Sequence, residues 1–372
     1  MSDRSSRSRV AALLAPADIM LDGERSWDIT VRDDRLFTRV LAQGSLGVGE
    51  SYMDGWWDCD RLDEMFYRVL RADIERQVLT WRNTLWILKA RLINLQKPSR
   101  AFRIGRDHYD RGNDLFQRML DSRMIYSCGY WKDAATLDEA QEAKLDLVCR
   151  KLELEPGMRL LDIGCGWGGT ARFAAERYGV SAVGITVSEQ QVLLARELCD
   201  GYDVEIRLQD YRDITEKFDR VVSLGMFEHV GHKNYDRFMR IVRRCLPADG
   251  LFLLHTIGSI ATLHKTDLWN ERYIFPNSML PSARLISAAI EGKFVLEDWH
   301  SFGPDYDTTL MRWYDNFERS WPKLAGQYDE RFYRMWKYFL LSSAGSFRAR
   351  KNQLWQLVLS PRGVEGKYRA PR

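Results

Sequence analysis

Arg159-Leu160-Leu161-Asp162-Ile163-Gly164-Cys165-Gly166-Trp167-Gly168-Gly169 is the stretch from which the fold is read. A short apolar run ends in a cluster of glycines, and Thr170 to Tyr178 behind it carries a helical pattern. Glycines at such a turn let the backbone approach a ligand closely, and the helix N-terminus that follows offers free N–H groups.

The same rhythm continues outward. Val180 to Val187 reads as a second strand, and Ser188 caps a helix that opens with Glu189-Gln190-Gln191. Val204 to Gln209 is a third strand and Phe218 to Leu224 a fourth, the latter apolar enough to be buried on both faces. Tyr235 to Leu246 is helical, and Gly250 to Ile257 is a fifth strand. Strand–helix alternation at this spacing predicts a parallel sheet with helices on both faces. Polar, aromatic and proline residues then break the rhythm, which marks an insertion at about 259–284. Phe294 to Phe302, helices over Thr308 to Trp321 and Arg331 to Arg350, and a last strand at Gln353 to Leu359 complete the domain. The expected fold is α/β and Rossmann-like, with a smaller, mainly helical N-terminal domain. The expected boundary lies near residue 100, giving domains 1–100 and 101–372.

A glycine loop of this kind serves several nucleotides. Here the spacing is GxGxGG, and the second strand ends in Thr186-Val187-Ser188 with no Asp or Glu. A dinucleotide enzyme usually carries an acid there for the ribose hydroxyls. These residues favour S-adenosylmethionine and leave a nicotinamide dinucleotide as the alternative.

Bulk composition removes other classes. The 372 residues are 45% hydrophobic and 29% charged with a net charge of only +3, so any attraction to nucleic acid or membrane needs a local patch, and no nucleic-acid partner is expected. Six cysteines without CxxC spacing argue against both a disulfide framework and a zinc site. Glu228, His229 and His232 form EHxxH, not the HExxH of a zinc hydrolase, so no metal is expected. The apolar stretch Val10 to Leu14 is cut short by Pro16 and Asp18, which is unlike a signal peptide. No run approaches the roughly 20 apolar residues of a membrane-spanning helix.

One local patch exists. Arg68 to Gly112 holds eleven Lys/Arg against four Asp/Glu. Within it Val78, Trp81, Leu85, Leu88, Leu92 and Leu95 fall on one helical face, with Arg82, Lys89 and Arg91 off that stripe. An amphipathic helix packed on its own domain explains the pattern; a cationic face meeting anionic lipid headgroups is compatible with it. Lys97-Pro98-Ser99 reads as a linker.

Six ordered motifs resemble the cyclopropane-fatty-acyl-phospholipid synthase family. They are His108 to Asp114, Tyr126 to Tyr130, Leu161 to Gly168, Gly225 to Gly231, Leu253 to Gly258 and Asp305 to Leu310. Gly49 to Trp57 looks like the extra N-terminal domain of the phospholipid-acting members, a domain that the mycolic-acid relatives lack. The resemblance implies a class I methyltransferase fold and S-adenosylmethionine as methyl donor. It assigns donor contact to Tyr126, Ser127, Gly164 and Gly166, the amino-acid or ribose part to Thr186 and Gln191, and the adenine side to Gln209 and Asp210. It further implies a bound bicarbonate ion held by Cys128, Glu228, His255, the backbone N–H of Ile257, and Tyr306. A homodimer acting on unsaturated acyl chains at a phospholipid bilayer surface, cytoplasmic and peripheral to the inner face of the membrane, is also implied.

The chemistry explains why such a set is needed. Methyl transfer from a sulfonium to an alkene leaves a carbocation, and ring closure requires a proton to leave the new methyl group. The site needs a base, tolerance of positive charge and exclusion of water. Read singly, Cys128 is a small buried hydrophobe and His255 a core histidine. Yet His255 and Glu228 both lie at the carboxyl edge of the sheet, where open α/β folds bind ligands. Trp269, Tyr273 and Phe275 are placed by the insertion as candidates for an acyl tunnel. The competing readings are a fatty-acyl C-methyltransferase, a small-molecule N-methyltransferase and a membrane-surface binding protein with a vestigial site.

Overall fold

The computed structural model describes residues 3–74, 112–263 and 267–372. The chain falls into two compact units. Among the described residues, one comprises 112–263, 277–305 and 353–372, and the other 3–74, 267–276 and 306–352.

The first of these is built on a seven-stranded sheet. Its strands are β1 (Arg159–Ile163), β2 (Ser181–Thr186), β3 (Val204–Leu208), β4 (Arg220–Leu224), β5 (Leu251–Ser259), β6 (Val295–Ser301) and β7 (Asn352–Ser360). They lie in the order β3-β2-β1-β4-β5-β7-β6. Pairing is parallel from β3 through β5 and antiparallel between β6 and β7. The order reverses at β1, which makes the edge between β1 and β4 the topological switch point where such sheets bind ligands.

Alternation along the strands explains the layers. Side chains on a strand point to opposite faces in turn. Leu161, Ile163, Val183 and Val221 pack with Phe238, Met239 and Val242 of the helix Tyr235–Cys245 on one face. Leu160, Ala182, Val222 and Leu253 pack on the other, with Leu145 and Val148 of one helix and Phe173 and Ala174 of another. Those two helices are α1 (Leu137–Lys151) and α2 (Gly169–Tyr178). The expected strands and helices are present within one or two residues, except that the helix expected over Thr308 to Trp321 runs longer, over Pro304–Leu324. Ser188 caps its helix as expected, accepting from the Gln191 N–H.

Besides the short helix Asn113–Met119, two helices of this unit were not anticipated. One is α1, entered through a capping box in which Thr136 and Glu139 satisfy each other's exposed N–H groups. The other is Ala283–Ile290, capped by Ser282 and lying at the end of the expected insertion.

The second unit is helical, with one two-stranded ribbon formed by Thr30–Val31 and Trp57–Asp58. It is not the first hundred residues alone. Helix Leu268–Tyr273 from the expected insertion, and the long helices Pro304–Leu324 and Glu330–Arg348, belong to it from residue 306 onward. Helix Glu330–Arg348 lies so close to Leu62–Arg71 that a Cβ on Gly345 would stand 2.6 Å from the Asp63 carbonyl oxygen. Arg348 then bridges the buried carboxylate of Asp63 at 2.8 Å and Asp307 at 2.9 Å. Trp269 is enclosed here, its indole N–H directed at the sulfur of Met53, and the Tyr273 hydroxyl donates to Glu50 at 2.8 Å. Phe275 packs edge-on against Phe339. These three aromatics are thus part of the packing of the helical unit. The basic amphipathic pattern with Arg82, Lys89 and Arg91, the Lys97-Pro98-Ser99 linker and His108 to Arg111 lie outside the described residues.

Candidate active site

The carboxyl ends of β1, β2 and β4 and the loops that follow them surround a cavity of about 170 Å³. All eight residues expected to contact the donor line it: Tyr126, Ser127, Gly164, Gly166, Thr186, Gln191, Gln209 and Asp210.

The wall at β1 depends on backbone form. Gly164 has φ +83°, and a Cβ there would stand 2.7 Å from the Met226 side chain. Only glycine fits both the conformation and the space. The indole N–H of the next loop residue but two, Trp167, donates to Asn113 Oδ1 at 3.0 Å. Phe116 packs against Trp167 and meets Tyr126 edge-on. This aromatic chain ties the Tyr126 loop to the glycine turn. Asn113 stands in the His108 to Asp114 motif without a role assigned to it there, and Phe116 carried no sequence signal, because the contact is tertiary.

At the end of β2 the Thr186 hydroxyl donates to Gln191 Oε1 at 2.8 Å. That bond uses the amide oxygen and leaves the Gln191 NH₂ donors for a bound molecule. Asp210, after β3, accepts from the Arg212 N–H at 2.9 Å and pairs with its guanidinium at 2.6 Å. A carboxylate has about four acceptor positions, so this pairing fixes Asp210 without saturating it. His229, unforeseen as a lining residue, is held neutral by burial, its pKa pushed down to about 4. Donors at Gln191, an acceptor at Asp210 and the open space beside Gly166, where a Cβ would meet nothing within 4 Å, fit an adenosyl amino acid.

Of the five residues expected to hold bicarbonate, none lines this cavity. Cys128 follows Ser127 directly, is fully buried, and its thiol donates to the Gly129 carbonyl at 3.1 Å. Glu228 sits on the short 3₁₀ turn Phe227–His229 after β4. Its Oε1 accepts the Ile257 N–H at 2.6 Å, so this N–H is engaged by the protein itself. Its Oε2 is buried with no hydrogen-bond partner, and burial pushes the carboxyl pKa up to about 7. His255 lies on β5 opposite Leu224, a cavity-lining residue of β4. The Gln356 amide stands 3.3 Å from His255 Nδ1. Burial holds the ring pKa far below its usual value, so it is neutral. With Nδ1 accepting from the Gln356 NH₂, the ring hydrogen resides on Nε2, which is buried and also lacks a partner.

Tyr306 belongs to the helical unit, where it is buried against Phe347 and Trp313.

Leaving a buried polar group unmet costs about 1–3 kcal/mol. Glu228 Oε2 and His255 Nε2 both carry that cost, one as an acceptor or acid and the other as a donor. Each atom by itself suits a small polar species that both donates and accepts, as bicarbonate does.

Comparison with known proteins agrees with this architecture. Residues 96–357 match the family described as mycolic acid cyclopropane synthetase. The chain is 57% identical to the cyclopropane-fatty-acyl-phospholipid synthase of Escherichia coli over 97% of its own length and 94% of the relative's. Among solved structures it resembles the Mycobacterium tuberculosis cyclopropane synthase MmaA2 at 32% identity and TM-score 0.67, over 72% of this chain and all of that one. It also resembles the mycolic acid cyclopropane synthase CmaA1, solved with S-adenosylhomocysteine, at 36% identity and TM-score 0.64, over 70% and 98%. With a class I methyltransferase sheet, a lined nucleotide cavity and matches along nearly its whole length, the chain belongs to the S-adenosylmethionine-dependent cyclopropane-fatty-acyl-phospholipid synthase family.

Proposed function

We propose that the protein converts cis double bonds of phospholipid acyl chains to cyclopropane rings, with S-adenosylmethionine bound in the cavity at the glycine turn. The observation that carries the chemistry is the pair of unmet buried atoms, Glu228 Oε2 and His255 Nε2, beside residues that line that cavity.

The reaction balances without an oxidant or reductant. The sulfonium methyl moves to one alkene carbon, its S–C bond breaking to leave S-adenosylhomocysteine. The neighbouring carbon becomes cationic, the new methyl loses a proton, and the freed electron pair closes the ring. Glu228 and His255 are the residues that would hold a bicarbonate ion, and that ion, when bound, would supply the base for the proton. Glu228 orients it through Oε2 while the Ile257 N–H fixes Oε1. His255 donates from Nε2, and the buried Cys128 and the surrounding apolar core keep water away from the cation.

The bilayer is the source of the substrate. Among the described residues no helix is long and apolar enough to cross a membrane, and the proposed mode is peripheral binding at the cytoplasmic face, as a homodimer. The test is incubation with labelled donor and unsaturated phospholipid vesicles, followed by mass analysis of the acyl chains. A product heavier by one methylene that resists hydrogenation is expected. A labelled amine, or a methyl-branched chain still open to hydrogenation, contradicts the reading.

A further inference from the structure

Helix α1 presents two fully enclosed polar side chains to the Tyr126–Tyr130 loop. Gln141 Nε2 donates to the Ser127 carbonyl at 2.7 Å, and Lys144 Nζ donates to the Ser127 hydroxyl oxygen at 3.1 Å. One turn earlier the helix touches the same loop, the Tyr130 N–H donating to the Ala140 carbonyl at 2.8 Å. A lysine so enclosed is costly, because burying an ammonium outweighs its attractions unless it is well paired. Two buried acids face it from different elements: Asp121, whose carboxylate closes the turn before the loop by accepting from Ile125 and Arg123, and Asp162 of β1, which lines the cavity. Cys128 and Cys149 are its remaining titratable neighbours, and its charge reaches His255.

The direction of the Lys144 bond has a consequence. An ammonium has donors only, so the Ser127 oxygen accepts from it. The hydroxyl hydrogen of Ser127 is then free to serve an acceptor elsewhere, and Ser127 lines the cavity. We propose that Lys144 is a positioning residue of the donor site. By donating to Ser127 from behind, it obliges the Ser127 hydroxyl to donate into the cavity, to the carboxylate of the donor's amino-acid end. The inference rests on the reading of this cavity as the S-adenosylmethionine site. Burial lowers Lys144 to about 8 against the opposing pull of Asp121, so near neutral pH the bond is made by the charged form.

Titration calorimetry with two ligands tests this in the full chain. S-adenosylhomocysteine carries the amino-acid end; 5′-methylthioadenosine keeps the nucleoside and thioether but lacks it. Lys144→Met weakens S-adenosylhomocysteine about tenfold or more, the size of one lost charged-ligand hydrogen bond, and leaves 5′-methylthioadenosine unchanged. Ser127→Ala gives the same split with Lys144 in place; if Lys144→Met does not fold, Lys144→Gln replaces it, and it weakens S-adenosylhomocysteine when Ser127 is present but has no further effect in Ser127→Ala. Equal loss for both ligands, or no loss for either, overturns the proposal. Val187→Trp, which fills the cavity from its β2 side, checks the underlying reading separately. It abolishes binding of both ligands if the cavity is the donor site, and unchanged binding of both places the donor elsewhere.

Discussion

The Ile257 N–H donates to Glu228 Oε1 at 2.6 Å, joining the end of β5 to the turn after β4. This bond holds one carboxylate oxygen in place and leaves the other without a partner. A glutamate fixed in this way orients a bound species and contributes little to holding the donor. Glu228→Gln therefore lowers turnover by about 100-fold or more, the usual contribution of a group acting on proton transfer, while S-adenosylhomocysteine affinity stays within about twofold. Steady-state rates and calorimetry on the same variant check this. Parallel loss of both makes Glu228 a donor-binding or folding residue.

Burial raises the Glu228 pKa from 4.5 to about 7, which gives stability a definite pH dependence. Between those values the folded state binds more protons than the unfolded chain, so stability falls as pH rises. The penalty is absent below about 4.5 and complete above about 7. Glu228→Gln removes it. The melting temperature of the variant relative to the parent chain should rise from pH 4.5 to 7 and then level off. A difference that is flat with pH means that Glu228 is not held protonated by burial.

Gln356 sets the hydrogen on His255 Nε2 through its contact with Nδ1. Gln356→Leu keeps the volume and removes the donor, freeing the ring to take the other tautomer. Turnover is expected to fall about 10–100-fold, the range for a lost partner of a functional imidazole, with donor affinity unchanged. An unaltered rate removes the tautomer from the mechanism.

The glycine turn was legible because its chemistry is local. Positive φ at Gly164 and the Ser188 cap are written in neighbouring residues, and strand-end positions at the switch point follow from strand order. Helix α1 also carries a local sign, the capping-box sequence Thr136-Leu137-Asp138-Glu139. Lys144 and Gln141 had none: on sequence a lysine reads as surface, and only the packing of α1 against the Tyr126 loop encloses it. The membership of residues 306–352 in the helical unit was equally hidden, since Gly345 and Arg348 meet Asp63 across almost 300 residues. The free Ile257 N–H implied by family likeness is instead donated to Glu228 here, a detail that geometry alone reveals.

Gly164→Ala tests the turn itself. The new methyl meets Met226 at 2.7 Å on a backbone of φ +83°, which costs about 1–2 kcal/mol for a left-handed residue. A lower melting temperature and weaker S-adenosylhomocysteine binding are expected together. Lower stability with intact binding would separate the turn from the donor site.

The most direct measurement is the rate of ring formation in buffer stripped of carbon dioxide, with and without added bicarbonate. A cage formed by Glu228 and His255 predicts that the rate collapses on stripping, returns with bicarbonate but not with chloride at equal ionic strength, and stays low in Glu228→Gln. A rate indifferent to bicarbonate would show that the base is some group of the protein itself.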